Sequence, residues 1–121
     1  MHDDSLRRPG SPYEHDEILA FMVVPKGAIV DWGAPRSIPD TVLYVPETLF
    51  EALARATLLA SVDQYGDTRL DARVCVELGL QLDGVLAGPM TDMARDGTAL
   101  ILARVREVAS GRDLELLIEG P

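Results

Sequence analysis

The chain is 121 residues long, 47% apolar and 26% charged, enough for one domain that buries a core without disulfide or metal staples. Its 20 acidic against 11 basic residues leave a formal charge of −9, with no cationic footprint for nucleic-acid phosphates or an anionic membrane; a basic protein surface is the compatible partner. A lone cysteine, Cys75, rules out an internal disulfide framework, and neither a secretory leader nor a membrane-spanning run is legible, so a cytoplasmic protein is the expectation.

Residues 1–16 combine acidic pairs, Arg7-Arg8 and two prolines. They offer too little apolar area to offset their ordering entropy, and read as a flexible tail ahead of a domain spanning 17–121. Residues 18–24 are a short apolar run closed by Pro25-Lys26-Gly27, and 28–32 follow directly, which predicts a β-hairpin. Residues 33–40 are loop by composition, and 41–45 form another short β-type run.

Pro46 suits the first position of a helix and Glu47 complements its dipole, so a helix is predicted from there to about Gln64, ahead of Tyr65-Gly66. Leu49, Leu53, Ala56 and Ala60 make one apolar stripe, while Leu58 and Val62 project on the side of Glu51 and Arg55. A helix apolar on two sides needs a second covering, from its own fold or from another chain.

Residues 71–83 alternate almost without interruption. Ala72, Val74, Val76, Leu78, Leu80 and Leu82 fall on one side; Arg73, Cys75, Glu77 and Gln81, flanked by Asp71 and Asp83, fall on the other. That pattern predicts one long strand with a core face and a wet face. Asp83-Gly84 is a turn signal, 85–89 is short and apolar, and 90–96 has room for a turn or two of helix. Residues 98–109 are compatible with a helix capped by Thr98 or with a strand, and their Ala, Leu, Arg and Glu tilt the reading to helix. Residues 114–119 close the chain as a strand.

The predicted fold is a single α+β domain. A mostly antiparallel sheet of 18–24, 28–32, 41–45, 71–83 and 114–119 is packed by one long helix over 46–64, with a second near 98–109.

Little in the sequence carries chemistry. His2 and His15 stand among carboxylates, a metal-compatible setting placed in a segment read as flexible, so a solvated acidic tail is preferred. Cys75 sits beside Arg73, whose charge would stabilise a thiolate, yet both histidines lie in the tail, and a small half-buried hydrophobe is the preferred reading. Asp92, Arg95 and Asp96 read as helix-end chemistry. Gly84, Gly88 and Gly97 match neither a P-loop nor a dinucleotide fingerprint. On layout alone, 41–119 resembles STAS domains of the anti-sigma-factor-antagonist type. The Asp-Ser-Ser/Thr-Gly phosphoacceptor loop of that family would fall at Arg95-Asp96-Gly97-Thr98, which departs from it.

Two functions follow as expectations. The first is a non-catalytic, acidic protein that acts through protein–protein interaction, by binding, inhibition, assembly or self-association, with a contact surface at Glu51, Leu58 and Val62. The alternative is a small enzyme or small-molecule-binding domain using Arg73, Cys75 and Glu77. No catalytic residue, cofactor or metal ligand is assigned.

Overall fold

The computed structural model describes Gly10, Tyr13 and residues 15–121. Strand β1 (Ile18–Pro25) is buried at every residue over 19–24, so both faces of the sheet it enters must be covered. Strands β2 (Leu43–Pro46), β3 (Asp67–Leu70) and β4 (Leu114–Glu119) complete that sheet in the order β2-β1-β4-β3, with every pairing antiparallel. The helices are α1 (Glu47–Ala54), α2 (Ala72–Leu86) and α3 (Asp92–Ser110). The α+β class expected from sequence is therefore the class observed.

The two sheet faces have different covers. Leu19, Phe21, Val23, Leu43, Val45, Leu70, Leu116 and Ile118 face the helices and form the main core. Within it Phe21 meets Phe50 of α1 edge-on, with ring centroids 6.3 Å apart. The opposite face, Ala20, Met22, Val24 and Leu117, is covered by Ala28, Val30 and Ile38 of the segment between β1 and β2. That segment is the predicted 28–32 strand and 33–40 loop, and it contains no strand: it crosses the sheet as a strap. Gly27 turns the chain into it at φ +80°, in the left-handed region that glycine enters without strain. The Gly27 N–H donates to Glu115 Oε1 at 2.7 Å, and Arg69 donates to the Ala28 carbonyl. Asp31 and Ser37 exchange backbone and side-chain bonds at 3.0 and 2.8 Å.

The central correction concerns residues 71–83, which are helix and not strand. Asp71 is the N-cap, its side chain accepting from the Val74 N–H. Cys75, Leu78, Gly79 and Leu82 are buried, each three or four residues from a neighbour on the same side, a spacing that belongs to a helix. The period-two pattern arose because Val76 and Leu80 are also apolar, although they point outward. The predicted 46–64 helix ends after Ala54. Thr57 is extended, its hydroxyl donating to the Leu53 carbonyl at 2.9 Å and accepting from the Leu59 N–H, so a side chain replaces the helical ladder. A 3₁₀ turn at Leu58–Ser61 follows. The ambiguous 98–109 stretch is helix, but α3 starts at Asp92 with Thr91 as its cap, and Thr98 is buried inside it. Strand β3 was not anticipated.

The STAS-like layout does not persist, since its strand at 71–83 is helix α2 and Arg95, Asp96, Gly97 and Thr98 are interior residues of α3. Within the stretch expected to be a tail, Tyr13 is in the main core and Asp16 Oδ2 accepts from the Thr48 N–H at 2.9 Å, in the first turn of α1.

Candidate functional site

The sequence-predicted contact residues do not share a face. Glu51 is exposed on α1 and accepts from Gln64 Nε2 at 3.2 Å. Val62 belongs to the main core, and Leu58 is packed against it with its N–H donating to Gln81 Oε1 at 2.7 Å. Their apolar surface is covered by this chain itself, which removes the two-sided-helix argument. The second group separates as well. Helical turning of about 100° per residue puts Arg73 and Glu77 together on the outer side of α2 and Cys75 on the inner side. Cys75 has no exposed surface, and its burial, with Asp71 nearby, pushes the thiol pKa up to about 12. A thiol held neutral in the core is no nucleophile. His15 is exposed and His2 lies outside the described residues; among the described residues no cluster of His, Cys, Asp and Glu could hold a metal.

Two other surfaces stand out instead, the first of which keeps Arg73 and Glu77 together but sets them beside residues expected on a core face. The first is the outer side of α2. Val76 and Leu80, one turn apart, are 51% and 70% exposed. Arg73 and Glu77 are exposed beside them, and Gly84 continues the same line without a side chain. Arg106 Nη2 of α3 donates to both carboxylate oxygens of Asp83, at 2.6 and 2.7 Å, next to this face. Arg95 donates to the Leu86 and Gly88 carbonyls at 2.6 and 3.1 Å, fixing the end of α2 against α3. The stripe thus sits on a well-anchored helix.

The second is a cleft of about 160 Å³ on the strap side of the sheet, lined by Ile18, Ala20, Trp32, Tyr44, Glu119 and Gly120. The register creates it. Ala20 pairs with Tyr44 on one side and Glu119 on the other, so a methyl group lies between two long side chains in one cross-strand row. Trp32 comes from the strap, and its indole N–H donates to Glu119 Oε2. Asp67 of β3 extends the row, directly opposite Glu119. The signal for this cleft in the sequence was the only tryptophan, in a Gly/Pro-rich loop; its neighbours depend on strand register, which the sequence did not determine.

No known protein family, curated protein or solved structure matches the chain. The fold and these two surfaces are the basis for a functional reading. No helix among the described residues is long and apolar enough to cross a membrane.

Proposed function

We propose that the chain is a non-catalytic interaction module that works by joining another protein chain through the outer face of α2. The observation that carries this reading is the exposed pair Val76 and Leu80 on a helix whose opposite side is filled by its own core. Covering such side chains gains about 25 cal/mol for each Å² removed from water. The cover that fits best is a second copy of this chain. Two α2 helices laid antiparallel about a two-fold axis at Leu78 set Val76 of each against Leu80 of the other. The same register brings Arg73 toward Asp83 of the other copy, beside the Asp83–Arg106 pair already formed. Gly84 lets the backbones approach. The burial of Cys75 supports a non-catalytic role, because it withdraws the chain's one thiol nucleophile. The free thiol suits a reducing cytoplasm, and the charge of −9 argues against nucleic-acid and anionic-membrane partners.

The test is solution mass by light scattering for the wild type and for Val76→Asp/Leu80→Asp, with circular dichroism to monitor the fold. The expected result is a wild-type dimer that the double variant converts to a folded monomer. A wild type that is monomeric at every concentration, or a variant that stays dimeric, defeats the proposal.

A further inference from the structure

We propose that the cleft between Trp32, Tyr44 and Glu119 binds an organic cation, an alkylammonium or guanidinium head group, carried by a free small molecule or by the side chain of another protein. The inference is independent of the α2 interface, since the cleft lies on the sheet face opposite the helices.

The chemistry follows from the lining. Two aromatic residues, Trp32 and Tyr44, line the cleft together with one carboxylate, and that combination of residues favours a cation over a neutral group of the same shape. Glu119 is engaged by the Trp32 N–H, a neutral donor that orients the carboxylate without cancelling its charge. Asp67 stands directly opposite Glu119 in the ladder, and like charges in that position repel. No cation among the described residues pairs with either carboxylate, so a bound cation would relieve this repulsion as well as fill the cleft.

Size and rigidity agree with the chemistry. A volume of about 160 Å³ is well below the roughly 300–1,000 Å³ of sites for drug-sized ligands, and it suits a single head group. The floor is fixed by the Ala20 pairings to Tyr44 and Glu119. The strap that delivers Trp32 is held to the sheet on both sides of that residue, by the Gly27 N–H to Glu115 and the packing of Ala28 and Val30 before it and by the packing of Ile38 after it, while the Asp31–Ser37 bonds close the turn between. The site is therefore formed before ligand arrives, and the chain's net charge of −9 raises the local concentration of cations.

Trp32 is the only tryptophan, so the tryptophan emission comes from a residue that lines this cleft. Choline is titrated against its neutral carbon isostere, in which a tert-butyl group replaces the trimethylammonium head, at constant ionic strength set with sodium chloride. The expected result is a saturable change with choline and at least about tenfold weaker binding of the isostere. Glu119→Gln keeps an acceptor for the Trp32 N–H but loses the charge, and is expected to weaken choline by about tenfold. Should that variant fail to fold, Asp67→Asn, at an exposed position outside the lining, is expected to weaken choline several-fold. A peptide carrying trimethyl-lysine separates the two sources. Binding clearly tighter than choline assigns the site to a protein side chain, and binding equal to or weaker than choline assigns it to a free small molecule. The proposal is overturned if no cation gives a saturable change, if the isostere binds equally well, or if a folded Glu119→Gln protein binds choline undiminished. A failure here leaves the solution mass unaffected, and a monomeric mass leaves the Trp32 titration unaffected.

Discussion

Cys75 lies under α2 with its sulfur 4.0 Å from the Leu70 carbonyl and no surface exposed to solvent. Its thiol is expected to resist alkylation in the native protein and to react only on unfolding, as iodoacetamide labelling with and without denaturant would show. The same burial makes stability depend on pH on the alkaline side. The folded-state pKa is raised from 9.0 to about 12, so the neutral thiol's contribution is fully present below pH 9.0 and is lost as pH rises toward 12. Denaturant midpoints between those limits should fall for the wild type and stay flatter for Cys75→Ala. Glu115 acts in the opposite direction. The Gly27 N–H, and after it Arg69 and Lys26, hold its carboxyl below the ordinary carboxylate range despite some desolvation. Its contribution is fully present above the ordinary carboxylate value and is lost as pH falls from there through the lowered folded-state value, loosening the strap. Trp32 emission is therefore expected to move toward that of a solvated indole in acid before global unfolding, and Glu115→Gln should show the shifted emission already at neutral pH.

At the scale of elements, α1 has no capping side chain of its own, since Pro46 precedes it, and Asp16 supplies the missing acceptor to the Thr48 N–H. Asp16→Ala should cost about 1 kcal/mol of unfolding free energy, measured by urea titration, with Asp16→Asn largely restoring it. Elements were legible in unequal degree for identifiable reasons. β1 carries a continuous apolar run of strand length closed by Pro25, β4 is a short apolar stretch set off by Ser110-Gly111, and α1 was marked by Pro46 and Glu47 at its start. α2 was misread because Leu78 and Leu82 satisfy both a two-residue and a helical period, while Val76 and Leu80 satisfy only the former. The deciding feature was Asp71, a capping residue followed by buried positions at helical spacing, Cys75, Leu78 and Leu82. The end of α1 depended on one hydroxyl, that of Thr57, competing with the backbone. The site fared worse than the fold: the cleft requires Tyr44, Ala20 and Glu119 to be in register, a property of three strands together. The α2 stripe was visible as residues but was assigned to a core face.

At the scale of the molecule, a charge of −9 on each copy opposes the pairing of two α2 helices, and added salt screens that repulsion over a Debye length of about 8 Å at physiological strength. Dimerisation through an apolar seam should therefore tighten as salt rises from low to physiological concentration, which sedimentation at two ionic strengths would register. The sheet separates the two surfaces, so pairing through α2 leaves both clefts open. The most direct measurement is a dilution series of methyl and amide resonances by NMR. The account predicts that Val76 and Leu80 methyls and the Arg73 side chain shift with concentration while the Trp32 indole N–H does not. Resonances of α2 that stay fixed over the whole series, or concentration-dependent shifts confined to the strap, would contradict it.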